Sequence, residues 1–113
     1  MHEMSLCEAI IETAEKQASI QSYKNVKCIR LEIGVLSCVE PEAMRFAFEE
    51  VARNSIADGA TLLIDEIPGL AWCSQCKMEV AIKQRYDICP ACEFYPLEIS
   101  QGDAMRIKDM EVM

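Results

Sequence analysis

Histidine occurs once in this sequence, at His2, and tryptophan once, at Trp72. A single imidazole excludes zinc-enzyme sites built on two or three histidines, and no second histidine is left to serve as a base. Basic residues are also few: 11 Lys and Arg stand against 19 Asp and Glu, giving a formal net charge of -8. Such a surface repels phosphate backbones, so the expectation is no nucleic-acid partner. Lys77, Lys83 and Arg85 make no basic patch, because Glu79 and Asp87 are interleaved with them. Nowhere does the chain approach the ~20 consecutive apolar residues of a membrane span. Its opening Met1-His2-Glu3 shows neither the basic start nor the apolar run of a signal peptide. A cytoplasmic protein without a membrane partner is expected.

The 113 residues are 51% hydrophobic, enough for a real core in one small domain that carries a smaller module. Ser5-Leu6-Cys7-Glu8 has the capping-box pattern. Leu6, Ile10, Ala14 and Ala18 follow at helical spacing with Ile11 beside them, which predicts an amphipathic helix from residue 5 to about 21. From Val26 to Ile33 the pattern alternates, with Ile29, Leu31 and Ile33 on one face, as a half-buried strand does. Pro41 suits the first position of a second helix, whose stripe is Met44, Ala47, Phe48 and Val51 and which ends near Asn54. Phe46 lies off that stripe. Asp58-Gly59 is a turn, Thr61–Ile67 a second strand closed by Pro68-Gly69, and Ala104–Val112 a last strand whose alternation slips near Asp109. The order predicts an α+β fold, an α/β sandwich: two helices on a small three-stranded mixed sheet, with a zinc-ribbon-like module inserted before the last strand.

That module holds Cys73-Ser-Gln-Cys76 and Cys89-Pro-Ala-Cys92, two C-x2-C pairs with 12 residues between them. Seven cysteines in all, an odd number, fit a secreted disulfide scaffold poorly. A redox pair would open a helix within a strand-helix-strand unit, and these pairs lie in a loop-rich stretch. Four thiolates around one zinc fit better. Four cysteines leave no open position for water, so this zinc is structural and supplies folding energy to a module with little core of its own. Cys7, Cys28 and Cys38 are unpaired and read as structural or neutral. Trp72 is expected to pack where module and body meet.

His2 has a second chelating group beside it. The Met1 amine, the His2 backbone nitrogen and the His2 imidazole can close adjacent chelate rings on one ion, and the Glu3 backbone nitrogen can complete a nitrogen plane. Such a site suits Ni(II) or Cu(II) rather than zinc. The Glu3 carboxylate could add a ligand or orient one.

The opening Met1–Cys7 closely resembles the start of the hydrogenase maturation nickel chaperones, the HypA/HybF family. So do Leu31–Gly34, Cys38–Ala43, the two C-x2-C pairs, and the tail from Gly102 through Met105-Arg106-Ile107 to Glu111-Val112. The resemblance runs over essentially the whole chain. It implies a nickel-binding α/β domain at 1–69 and 103–113 and a zinc-binding domain at 70–102. It implies a non-enzymatic metallochaperone that carries Ni(II) as transferable cargo. His2 would be the key nickel ligand, with Met1 and Glu3 supporting, and Cys73, Cys76, Cys89 and Cys92 would hold zinc. The implied partners are a HypB-type GTPase and the large subunit of [NiFe] hydrogenase, in some members also urease maturation factors, with the chaperone a monomer or homodimer. One departure is Glu93-Phe94 after the second pair, where many relatives have glycine or histidine. Two other classes stay open on residues alone: a zinc-ribbon adaptor, which would show no His2-dependent nickel site, and a zinc enzyme, which would need an open coordination position.

Overall fold

The computed structural model describes residues 2–113, with the His2 side chain outside the description. The nickel roles expected of Met1 and of the His2 side chain therefore lie outside the described residues. Two helices and six strands follow in order: α1 (His2–Gln21), β1 (Val26–Gly34), α2 (Pro41–Ala52), β2 (Thr61–Ile67), β3 (Gly69–Cys73), β4 (Met78–Ile82), β5 (Glu98–Gln101) and β6 (Met105–Val112). The strands form two three-stranded sheets, ordered β2-β1-β6 and β4-β3-β5. The first is the expected sheet.

One boundary is corrected. α1 begins at His2, so Ser5 lies inside the helix and is not its cap. Glu3 supplies the reason: a carboxylate in the first turn complements the positive end of the helix dipole. α2 starts at Pro41, as proline's fixed φ favours, and ends at Ala52, two residues before Asn54. The segment beyond it turns on the Asn54 N–H donating to the Asp58 carboxylate (3.0 Å) and on Gly59 at φ 78°.

By their contacts the residues divide into two compact units. One contains Met1–Leu31, Val39–Asp65 and Arg106–Met113; the other contains Glu32–Cys38 and Glu66–Met105. The core of the first is aliphatic. Cys7, Ile10, Ile11 and Ala14 of α1, Met44, Ala47 and Phe48 of α2, and Val26, Ile29 and Leu31 of β1 are all buried. The helical spacing and the strand alternation that marked these positions are both realised. Cys7 is fully buried and its thiol donates to the Met44 carbonyl at 3.6 Å. Burial, helped by the Glu3 charge, pushes it up to about 11. It is packing material. Phe46 is 69% exposed, as its place off the stripe implies. Arg30 of β1 meets Asp109 of β6 at 3.5 Å, and half-burial along β6 slips in phase between Lys108 and Asp109.

The second unit contains a sheet that periodicity did not reveal. β3 pairs antiparallel with β4, from Gly69 opposite Ile82 to Cys73 opposite Met78, and antiparallel with β5, with an irregularity between Leu70 and Ala71. Strands of four or five residues are too short to establish an alternation. The inward positions of the central strand β3 are also small or sulfur-bearing, Gly69, Ala71 and Cys73, and Ala71 and Cys73 join Leu36, Val80, Ile82 and Cys89 in one buried cluster. Here the backbones crowd. A Cβ on Gly34 would lie 2.0 Å from the Gly102 carbonyl oxygen, so only glycine fits where the Leu36 N–H reaches that carbonyl at 2.8 Å.

Candidate metal centre

Each cysteine pair closes a turn of the same design. In the first, Cys73 ends β3, the Lys77 N–H donates to the Cys73 carbonyl at 2.8 Å, and the Cys76 N–H points at the Cys73 sulfur at 3.4 Å. In the second, the Glu93 N–H donates to the Cys89 carbonyl at 2.8 Å and the Cys89 N–H to the Phe94 carbonyl at 3.0 Å. The residue after each pair turns left-handed, Lys77 at φ 56° and Glu93 at φ 64°. Between the pairs, the Asp87 carboxylate accepts from the N–H groups of Lys83 and Gln84 at 2.9 and 3.1 Å, which fixes the loop returning from β4.

These turns bring all four sulfurs within 4.8 Å of one another. Cys73 and Cys92 are 3.6 Å apart, Cys76 and Cys89 3.9 Å. A tetrahedral ion with sulfur ligands at about 2.3 Å needs sulfurs about 3.8 Å apart, so the cage fits. It does not fit disulfides, whose bond is about 2.05 Å. Cys73 and Cys89 are fully buried and Cys76 and Cys92 partly so.

The thiols titrate against one another. Cys76 is pushed up to about 12, chiefly by its hydrogen bond to the Cys92 sulfur, with desolvation next. Cys89 falls to about 7: desolvation works upward, but the N–H groups of Cys92 and Ala91 and the Cys92 and Cys73 thiols together outweigh it. Cys92 is raised, since desolvation and the Cys73 and Cys89 sulfurs outweigh the lowering from Cys76. Cys76 and Cys92 therefore hold their protons more tightly than a free thiol unless a cation replaces them. A divalent metal would do so, because a coordinating thiol is deprotonated outright.

The left-handed residues give a prediction. A side chain in that conformation costs roughly 1–2 kcal/mol, and glycine gives back roughly 0.5–1 kcal/mol in backbone entropy. Glu93→Gly should therefore stabilise the metal-loaded protein by about 0.5 kcal/mol in urea titrations. A loss of stability would show that the Glu93 side chain does something the turn does not require.

The other site residues fall elsewhere. Glu3 is half-buried in the first turn of α1, and its carboxylate accepts the Glu40 N–H at 3.2 Å. That bond is the main reason its carboxyl lies down at about 2. The tie is present above the ordinary carboxylate range and is lost as pH falls towards 2. It joins residues 37 positions apart, to the N-cap residue of α2, and no sequence pattern could have announced it. Cys7, Cys28 and Cys38 stay outside the four-sulfur group; Cys38 is exposed rather than packed among apolar neighbours. Trp72 is not among the buried residues either. Ala71 and Cys73 take the inward positions of β3, so Trp72 faces outward and is 43% exposed.

A family model described as "Hydrogenase/urease nickel incorporation, metallochaperone, hypA" matches residues 1–112. The chain is 53% identical over 112 residues to hydrogenase maturation factor HypA of Azotobacter chroococcum mcd 1, covering 99% of both. It is 49% identical to the HypA of Azotobacter vinelandii, again over 99% of both. Among solved structures it is similar to the Ni metallochaperone HypA from Helicobacter pylori in solution, with a TM-score of 0.71 and 23% identity over 98% of this chain and 97% of that one. A solution structure of HypA protein gives a TM-score of 0.72 and 25% identity, covering 100% of this chain and 97% of that one.

Fold and site together define a small α+β protein with a four-sulfur cage that could hold a metal ion. The chain belongs to the HypA family of metallochaperones for nickel incorporation, which are not catalysts. No helix among the described residues is long and apolar enough to cross a membrane.

Proposed function

We propose that this chain is a cytoplasmic nickel metallochaperone that binds Ni(II) at its N-terminal Met1-His2-Glu3 and delivers it to the large subunit of [NiFe] hydrogenase, with a HypB-type GTPase as partner. The four cysteines hold a structural zinc. The nickel-binding domain comprises 1–69 and 103–113, and the zinc-binding domain 70–102.

The observation that carries this reading is the closed sulfur cage in a nickel-handling family. A cage of four thiolates with no free position holds its ion too tightly to trade it. The cargo must then sit elsewhere, and beyond the cage no group of three or more metal-ligating side chains exists among the described residues. The Met1 amine and the His2 imidazole supply the remaining nitrogen donors. The start of α1 at His2 supports a site there. The first four N–H groups of a helix have no acceptor within it, so nickel can take the His2 and Glu3 backbone nitrogens without breaking a helical hydrogen bond. The positive end of the dipole opposes a cation, which favours release. Glu3, tied to Glu40, holds this first turn in place.

The test is maturation in cells. Replacing the chromosomal copy by His2→Ala should leave hydrogenase large subunit without nickel, and added nickel salt should restore it in part. Full nickel content in that strain would end the assignment.

A further inference from the structure

The outward face of the β4-β3-β5 sheet is unlike the rest of the second unit. β3 is its central strand, and Trp72, the fourth of its five residues, is 43% exposed. In register, Trp72 lies opposite Glu79 on β4 and opposite Glu98 on β5. Both glutamates are exposed. Glu79 is also held in place, because the Ser100 hydroxyl donates to its carboxylate at 2.8 Å. The three strands contain these two carboxylates and no lysine, arginine or histidine. A lone exposed aromatic would be ordinary. An indole flanked on both sides by carboxylates, one of them fixed, is a cation-recognition arrangement: the ring face attracts a guanidinium or ammonium, and the carboxylates pair with it.

We propose that this sheet face docks a basic, arginine-bearing segment of a partner protein, with Trp72 as its central anchor and Glu79 and Glu98 as its ion-pairing flanks. Charge complementarity selects the occupant. A second copy of the chain is repelled by the formal net charge of -8, and nucleic acid by the carboxylates. An exposed aromatic at the centre with polar groups around it is the arrangement of an interface hot spot. The surface does not depend on where nickel binds, so it stands or falls separately from that site.

Trp72 is the only tryptophan, so its emission reports this face alone. The experiment titrates full-length, zinc-loaded protein at physiological salt with a short Arg-Gly repeat peptide and with a Gln-Gly peptide of equal length. The arginine peptide should change Trp72 emission saturably and the glutamine peptide should not. The double variant Glu79→Gln/Glu98→Gln should weaken binding roughly tenfold, from the loss of two exposed ion pairs and their support of the cation on the ring. Glu8→Gln/Glu12→Gln on α1 changes net charge equally and should leave binding as it was. Trp72→Ala, followed by anisotropy of a labelled peptide, should weaken it as well. An equal loss in both double variants would mean bulk attraction only and would overturn the proposal. So would an emission unchanged by the arginine peptide, or undiminished binding by Trp72→Ala.

Discussion

Zinc-loaded His2→Ala protein is expected to lose its nickel site while keeping its zinc and its fold. The substitution removes the only imidazole in the chain. Removing a residue that merely orients a metal ligand costs roughly 10- to 100-fold in affinity, so losing the ligand itself should cost at least about 100-fold. The fold is expected not to respond, because among the described residues the buried set of the first unit begins at Cys7. The cage lies at residues 73–92 and is equally remote in sequence. Calorimetry with Ni(II) beside zinc analysis of the same samples checks both halves. Nickel binding in the wild type should also weaken as pH falls, since amine, imidazole and backbone nitrogens must shed protons to bind. Retained tight binding by His2→Ala would place the cargo site elsewhere.

The second large effect concerns the zinc. Stripping it with a strong chelator under reducing conditions should unfold the sheet around Trp72 and leave most helical circular dichroism intact. Structural zinc supplies roughly 10–16 kcal/mol of apparent binding energy in small modules, against a net stability of roughly 5–15 kcal/mol for a whole domain. In the second unit, two of the six residues of the buried cluster are the cage cysteines Cys73 and Cys89. Without metal, their region must bury crowded thiols that only protons neutralise, as the upward shift of Cys76 to about 12 reflects. The first unit has its own aliphatic core from Ile10, Ile29, Leu31, Met44 and Phe48, and both helices belong to it. Emission from Trp72 should therefore change on zinc loss far more than the helical signal, and Cys89→Ser should do the same without chelator. If emission and thermal unfolding are indifferent to the chelator, the cage is not a folding element.

What could be read from sequence divides along the same physical line. In the first unit a core made by repeating aliphatic positions leaves a periodic trace. Ile29 and Leu31 were legible as one face of a strand, and Met44, Ala47 and Phe48 as one face of a helix. The sulfur cage was legible from spacing alone, because a C-x2-C turn is a local device. The β4-β3-β5 sheet was not, since its strands are short and the inner positions of its central strand β3 are filled by glycine, alanine and cysteine rather than by aliphatic residues. The outward facing of Trp72 on its sheet was not legible for that reason: without β3, nothing indicated that Cys73 takes the inward position and sends its neighbour out. The start of α1 was missed because Ser5 offers a local cap, whereas the bond from the Glu40 N–H to Glu3 spans 37 residues.

The central claim is that two metals occupy two sites and that the four cysteines are not the cargo site. Native mass spectrometry of the untagged, zinc-loaded chain after addition of one equivalent of Ni(II) tests it most directly. The account predicts a species carrying one zinc and one nickel together, with zinc undiminished. Nickel appearing only at the expense of zinc would contradict it.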